Sequence, residues 1–147
     1  MEIGIDSFAS AMYGRNTLNS VDAMEQLLDR ITFADEAGLD VFGIGEHHKK
    51  EFLDSAPAVI LAAAASRTKH IRLTSAVSVL SAADPVRVYQ SFATLDLISK
   101  GRAELVVGRG SSLEAYPLFG FNLEDYDALF DENVALLLKI RANEFIS

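Results

Sequence analysis

Two adjacent histidines, His47 and His48, follow Glu46 and are the residues of this sequence best suited to proton transfer. One imidazole could serve as a proton donor or acceptor, because only histidine titrates unperturbed near neutral pH. Neighbouring side chains on extended backbone point in different directions, so the pair cannot easily hold one metal ion, and neither HExxH nor HxxxH occurs. A pair of solvated histidines at the end of a strand is the alternative interpretation.

The segment Gly108–Ser112, with the sequence GRGSS, could bind a phosphate group. Its glycines would let the backbone approach the anion, and the guanidinium of Arg109 would supply bidentate donors. The likeness to a dinucleotide fingerprint is weak, since Leu113 stands where the third glycine belongs, and no GK[ST] sequence makes a P-loop. The alternative interpretation is a plain glycine turn with an exposed arginine.

Both groups follow segments that resemble the strands of a parallel α/β protein, where active sites lie beyond the carboxyl ends of the strands. The predicted strands are Ile3–Phe8, Asp40–Gly45, Ile71–Val79 and Ala103–Val107. The later units therefore repeat roughly every thirty residues, a length that suits a βα crossover. Their apolar cores lack strict alternation, which indicates a sheet buried on both faces.

Helical segments separate these strands, and each has a recognisable start. The predicted starts are Asn19 or Ser20, Ser55–Pro57, Asp84–Pro85 and a capping box near Asn122. A polar loop, Ala9–Asn19, and one long irregular connection, Gly108–Phe121, complete the chain. We expect the curved inner face of the sheet to carry Ile5, Ile44, Ala76 and Val106.

Composition narrows the functional classes. The chain has 147 residues, which fits one domain spanning residues 1–147, and its net charge of −8 argues against a nucleic-acid partner. The longest apolar stretch, Ala56–Ala65, is about half the length that a bilayer requires. No cysteine is present, so a reducing cytoplasm is the expected location and no thiolate metal site is available.

Read together, these segments resemble the N-terminal half of the bacterial-luciferase-like flavin-dependent monooxygenases and oxidoreductases. The matching segments are Ala37–Asp40, Glu46–His48, Thr74–Leu80, Asp84–Arg87, Leu95–Arg102, Gly108–Gly110 and Phe119–Gly120. Their order and spacing cover nearly the whole chain, and the combination is more specific than any single motif.

The resemblance implies an α/β fold of the TIM type, a (β/α)8 barrel with a parallel sheet, of which this chain would supply about four βα units. It implies FMN as cofactor, with the deazaflavin F420 as the less favoured alternative. In the motifs that match, His47 would assist the oxygen chemistry of the flavin, a cis peptide at Ala76-Val77 would support its ring, and Arg109 would contact its phosphate. Glu46 and Gly108 belong to the same cofactor site, although luciferase itself has a cysteine at the position of Gly108.

The activity that follows is oxidation of a small organic substrate by reduced flavin and oxygen, carried out by the complete barrel. Family members run to roughly twice this length, so the chain is interpreted either as a truncated product or as a natural half-barrel. The alternative function is a non-catalytic, self-associating half-barrel with weak or no flavin binding. In both cases we expect open sheet edges and a homodimer or larger assembly.

Overall fold

The computed structural model describes residues 1–10, 12–13, 16–17, 19–111 and 113–142. The strands are β1 (Gly4–Ser7), β2 (Met12–Tyr13), β3 (Asn16–Thr17), β4 (Val41–Ile44), β5 (Arg72–Ser75), β6 (Ser78–Val79), β7 (Ala103–Glu104) and β8 (Val107–Gly108). The helices are α1 (Ser20–Glu36), α2 (Pro57–Arg67), α3 (Pro85–Ser99), α4 (Ala115–Phe119) and α5 (Tyr126–Ala142). Arg15 of the predicted polar loop and Ser112 of the predicted phosphate segment lie outside the described residues.

The main sheet has four strands in the order β1-β4-β5-β7, and every neighbouring pair is parallel. One row of paired residues, Asp6, Gly43, Thr74 and Glu104, crosses the sheet in register. This is the sequential, parallel βα arrangement that the sequence predicts. The carboxyl ends of all four strands therefore meet at one edge.

The third and fourth strand segments are each interrupted in the middle. The pair Thr74 and Glu104 belongs to the β5–β7 ladder, and the next pair, Ser78 and Val107, belongs to the β6–β8 ladder, so the third segment contains one extra residue. Such an insertion leaves backbone groups without ladder partners. The buried hydroxyl of Ser75 supplies the partner that the amide of Val106 lacks, since its Oγ accepts from that amide at 3.1 Å. The same Oγ donates to the carbonyl of Val106 at 2.7 Å, which also accepts from the amide of Ser78 at 2.9 Å.

The hydrophobic core lies between one face of the sheet and the helices. Phe42, Ile44 and Leu73 are fully buried there against apolar side chains of α1 and α2 such as Leu27 and Leu61. The prediction that Ile44 lines the inner face is therefore wrong. The segment that contains Ile44, Val41–Ile44, is apolar at every position, so it has no alternation that would reveal which face each residue takes.

The inner face carries a groove of about 510 Å³. Ala76 and Val106 contribute to its lining, as expected, and Ile5 borders it. In the β1–β4 ladder, however, Ile5 is paired with Phe42, so its side chain lies on the helix face of the sheet and its predicted place on the inner face is wrong. The inner face is more polar than the sequence suggests, because the row of Asp6 and Thr74 lies on it beside Ala76 and Val106.

Local signals at the helix starts are largely confirmed. The side chain of Asn19 accepts from the amide of Val21, and that of Asp84 accepts from the amide of Val86. The capping box predicted at Asn122 is wrong: Asn122 makes no side-chain cap hydrogen bond, and a 3₁₀ turn, Leu123–Asp125, precedes α5. The predicted irregular connections are also more regular than expected, since they contain the β2–β3 hairpin and α4.

None of the helices within the described ranges has the length and apolar character needed to cross a membrane.

Two charged side chains tie the helices to the amino-terminal end of the sheet. The first is Arg102, which directly precedes β7. Its guanidinium uses all five N–H donors, on the carbonyls of Ala65, Thr68, Ile71 and Ser99 and on the hydroxyl of Thr68, at 2.7 to 3.1 Å. It thereby joins the ends of α2 and α3 to the start of β5.

The second is Asp35, near the end of α1. Its carboxylate accepts from the backbone amides of Lys69, His70 and Ile71 at 2.7 to 2.8 Å. Burial alone would raise the pKa of Asp35, but the three amide donors outweigh it and lower that pKa.

We predict that Asp35→Ala lowers the free energy of unfolding at pH 7 by about 1–3 kcal/mol, because three amides lose a charged acceptor. The folded-state pKa lies below the unfolded value of about 3.9. The stabilisation should therefore be complete above that unfolded value and be lost as pH falls through the folded pKa. Urea unfolding across pH 2 to 7 measures both effects.

Glu36→Ala, an exposed change on the next residue of the same helix, is the control and should alter stability by less than about 0.5 kcal/mol. Equal stability of the Asp35→Ala variant and the unchanged chain at pH 7 would contradict the role assigned to this carboxylate.

Candidate active site

His47 lies just beyond the carboxyl end of β4 and is paired with a buried carboxylate. Its Nδ1 is 3.2 Å from Oδ1 of Asp54, and the other Asp54 oxygen accepts from the amide of Ala9 at 3.0 Å. The side chain of Asp54 is fully buried, and that of His47 is 14% exposed. The imidazole is thus held on one side and reaches solvent on another.

Aromatic rings fix the plane of the same imidazole. His47 stacks on Phe52 with ring centroids 4.2 Å apart, and Phe8 meets it edge-on at 4.8 Å. The loops that carry these rings are joined by a hydrogen bond of 2.7 Å from the amide of Leu53 to the carbonyl of Ala9. The segments after the first and second strands of the sheet therefore build this pocket together.

His48 points elsewhere and has its own carboxylate. Its Nε2 is 2.9 Å from Oε1 of Glu46, and its ring meets Phe119 edge-on. Oε2 of Glu46 accepts from the amide of Val79 at 3.1 Å, so this carboxylate joins the end of β4 to β6. The two histidines diverge as the sequence predicts, and the described residues contain no cluster of His, Asp and Glu that could hold a metal ion.

The peptide bond between Ala76 and Val77 is cis, at the position to which the family resemblance assigns one. Ala76 faces the groove of the inner face, where a Cβ on Gly43 would lie only 2.8 Å from the Cβ of Ala76. A glycine at position 43 therefore keeps this part of the groove open.

Gly108 ends β8 and lies against Val77. A Cβ at this position would come within 2.7 Å of Cγ2 of Val77, which is closer than van der Waals contact permits. The absence of a side chain thus brings the fourth strand segment up to the peptide bond that follows β5. These two predicted cofactor-site residues are direct neighbours.

Arg109 follows at the rim and is engaged by α5. Its Nε is 3.0 Å from Oδ1 of Asp127, a second nitrogen is 3.9 Å from Asp131, and its guanidinium lies 4.5 Å from the ring centre of Phe130. The arginine side chain remains 42% exposed and both carboxylates are mostly exposed. An anion that binds this guanidinium would compete with these two carboxylates for its charge.

Two tyrosine hydroxyls hold the backbone of the loop that carries Arg109. Tyr116 donates to the carbonyl of Arg109 at 3.1 Å, and Tyr126 donates to the carbonyl of Gly110 at 3.3 Å. Burial raises the pKa of the Tyr116 hydroxyl, and a tyrosine is protonated at neutral pH even without this shift, so the group is a donor there. The loop is therefore positioned by α4 and α5 and does not depend on its glycines alone.

All the predicted site residues lie at or just beyond the carboxyl ends of their strands, but they fall into separate groups. Val77 and Gly108 are in contact, whereas His47 and Arg109 share no hydrogen bond within the described ranges. Sequence reasoning missed Asp54 and Asp127. Neither belongs to a motif, and only the fold shows which side chain each one meets.

The class of protein follows from this arrangement: consecutive parallel βα units with a groove and titratable side chains at the carboxyl ends of the strands, as in TIM-type barrels. A family model described as luciferase-like monooxygenase matches residues 1–146. The chain belongs to this family.

Individual proteins that resemble this chain are also monooxygenases. The chain is 31% identical over 112 residues to the alkanal monooxygenase alpha chain of Photorhabdus laumondii, covering 76% of this chain and 31% of that protein. The crystal structure of the monooxygenase RslO1 from Streptomyces bottropensis superposes with a TM-score of 0.88 at 28% identity, covering 99% of this chain and 44% of that one.

A third structure is the oxygenating constituent of 3,6-diketocamphane monooxygenase from Pseudomonas putida, in complex with FMN. It has a TM-score of 0.83 at 24% identity and covers 95% of this chain and 39% of that chain. The chain spans about a third of the length of the curated relatives that it matches and less than half of these solved chains.

We predict that Gly108→Ala destabilises the fold by about 1–3 kcal/mol, because the added methyl group overlaps the stiff, β-branched side chain of Val77. The double variant with Val77→Ala should recover part of that loss, since the smaller side chain removes the overlap. Thermal or urea unfolding of the two single variants and the double variant gives the coupling energy. Additive losses would show that Gly108 and Val77 do not restrict each other.

Proposed function

We propose that this chain forms the N-terminal part of a flavin-dependent monooxygenase whose complete barrel oxidises a small organic substrate with reduced FMN and oxygen. The family match over residues 1–146 carries the proposal. The position of His47, Val77, Gly108 and Arg109 at one end of the sheet supports it. We assign the reaction to the cytoplasm, on the compositional grounds given above.

The residues present fit such a cofactor. The groove of about 510 Å³ on the inner face is lined by Ala76, Val77 and Val106, and it could accept one face of a flat ring. Glycine at position 43 leaves space there that a Cβ would fill. At the rim, Arg109 offers a partly exposed guanidinium to a phosphate group.

When bound, the flavin would supply the electrons and activate the oxygen that the substrate receives. The chain would supply binding, orientation and proton transfer. Val77 and its neighbours would support the ring, Arg109 would bind the phosphate, and His47 would hold or accept a proton at Nε2. Phe8 and Phe52 would keep water away from one side of that imidazole.

FMN is preferred to F420 in this proposal. Both cofactors occur among proteins of the same fold, in the camphane monooxygenase with FMN and in an F420-dependent secondary alcohol dehydrogenase. A relative that is 30% identical over 88 residues, the oxygenase component of the flavin-dependent trigonelline monooxygenase of Acinetobacter baylyi, supports a flavin. The absorbance spectrum of freshly purified protein, with and without added FMN or F420, is the direct test.

We predict that Arg109→Ala weakens FMN binding by roughly 10- to 100-fold, because a charge-assisted contact of about 1.5–3 kcal/mol is lost. Riboflavin has no phosphate, so its affinity should change little. Fluorescence titration of both flavins gives the ratio that isolates the phosphate. Arg30→Ala, an exposed arginine change on α1, is the matched control.

Asp127→Asn is a second variant for the same measurement, and its expected effect on FMN affinity is the opposite. Removing this carboxylate frees Arg109 from its closest ion pair, so FMN should bind more tightly while riboflavin is unaffected. An unchanged ratio of FMN to riboflavin affinity in both the Arg109 and the Asp127 variants would exclude Arg109 as the phosphate ligand.

We also propose that the chain self-associates as a homodimer. In the described structure β1 pairs only with β4 and β7 only with β5, which leaves two open sheet edges. A large groove between α3, β7 and α5 carries the exposed apolar side chains of Leu97 and Leu138. Open edges and contiguous apolar surface both favour association, most commonly through a twofold axis.

We predict a mass near twice 16.0 kDa for the chain at micromolar concentration, measured by light scattering coupled to size exclusion. Leu138→Glu should shift the population toward the monomer, because it places a charge in the apolar groove. Val21→Glu, which changes an exposed apolar residue on α1, should not. A stable monomer would contradict the proposal.

A further inference from the structure

Asp54 is the fully buried carboxylate beside His47, and neither the family motifs nor the sequence patterns draw attention to it. We propose that Asp54 is a positioning residue that holds His47 in the Nδ1–H tautomer and leaves Nε2 as the atom that exchanges a proton. The inference rests on the proposed function, in which His47 manages protons.

The two oxygens of Asp54 have different partners, and this decides which ring nitrogen carries the proton. Oδ2 accepts from the amide of Ala9 at 3.0 Å, and Oδ1 lies 3.2 Å from Nδ1 of His47. An ionised carboxylate can only accept hydrogen bonds, so the ring must be the donor. Nδ1 therefore holds the hydrogen, and a neutral imidazole has its free lone pair on Nε2.

The residues around His47 hold its imidazole in one orientation. Stacking on Phe52 and the edge contact with Phe8 fix its plane, and turning it over would withdraw Nδ1 from Asp54. Within the described part of the chain, Nε2 of His47 has no hydrogen-bond partner. A buried carboxylate, an oriented imidazole and a free second nitrogen are together the arrangement that positions a general base or acid.

His48 provides an internal comparison, because it uses the other nitrogen. Its Nε2 is 2.9 Å from Oε1 of Glu46. By the same reasoning the hydrogen of neutral His48 lies on Nε2. Two adjacent histidines are thus assigned opposite tautomers, each set by its own carboxylate.

The test is nitrogen-15 NMR of the imidazole nitrogens in the 147-residue chain without any cofactor, at a pH where the rings are neutral. The expected result is Nδ1–H for His47 and Nε2–H for His48. Nε2–H for His47 would overturn the proposal. This measurement uses the unchanged chain, so it decides the question even if substitution of Asp54 prevents folding.

The same NMR measurement on the Asp54→Asn variant is the second part of the test. The amide of Ala9 still requires an oxygen acceptor, so the carboxamide NH₂ of the new side chain should face His47. It would donate to Nδ1 and force the hydrogen of the imidazole onto Nε2. The tautomer of His47 should therefore reverse while that of His48 stays the same; Glu46→Gln, the matched control, should alter His48 alone. An unchanged His47 tautomer in folded Asp54→Asn protein would refute the role of Asp54.

Flavin experiments separate this inference from the proposed function. In a preparation that turns over with reduced FMN, Asp54→Asn should lower kcat by roughly 10²-fold or more, with FMN affinity nearly unchanged. Loss of FMN affinity with unchanged kcat would count against a positioning role. If no preparation binds or uses flavin, the proposed function fails, while the tautomer measurement still decides whether Asp54 positions His47.

Discussion

The parallel pairing of four consecutive strands is the constraint on which the rest of this structure depends. Each strand returns through a helix, so every strand begins at one edge of the sheet and ends at the other. Residues that are distant in sequence, such as His47, Val77 and Gly108, therefore come to the same edge. Without the common direction of the strands, these residues would lie at opposite edges of the sheet.

Side chains at the amino-terminal end of the sheet stabilise the fold, whereas the candidate site lies at the carboxyl end. At the amino-terminal end, Arg102 and Asp35 bond to backbone groups of neighbouring loops and fix the helices against the strands. At the carboxyl end, the hydrogen bonds join side chains that can exchange protons or bind anions. The hydroxyl of Ser75 lies between these regions and satisfies the backbone of Val106 where the ladder shifts by one residue. These hydrogen bonds of Ser75 connect the β5–β7 ladder to the β6–β8 ladder, which lies next to the candidate site.

Each titratable or charged side chain of the candidate site has a carboxylate partner nearby. His47 has Asp54, His48 has Glu46, and Arg109 has Asp127. The histidine pairs are buried or nearly so, so they act on orientation and tautomer. The arginine pair is exposed, where an ion pair contributes little and can be exchanged. Because of this difference in burial, His47 and His48 keep their partners, whereas Arg109 can exchange its carboxylate for another anion.

The sequence by itself determined the four main βα units and their order, because helix caps such as Asn19 and Asp84 and apolar strand cores are local signals. It also determined the family and the identity of the motif residues. Only the tertiary structure decided that Ile44 faces the helices, because the segment Val41–Ile44 is apolar at every position and has no readable alternation. Only the tertiary structure shows that Asp54 contacts His47 and that Asp127 contacts Arg109. These contacts depend on how loops and helices pack across the ends of the strands, and no spacing along the chain encodes that packing.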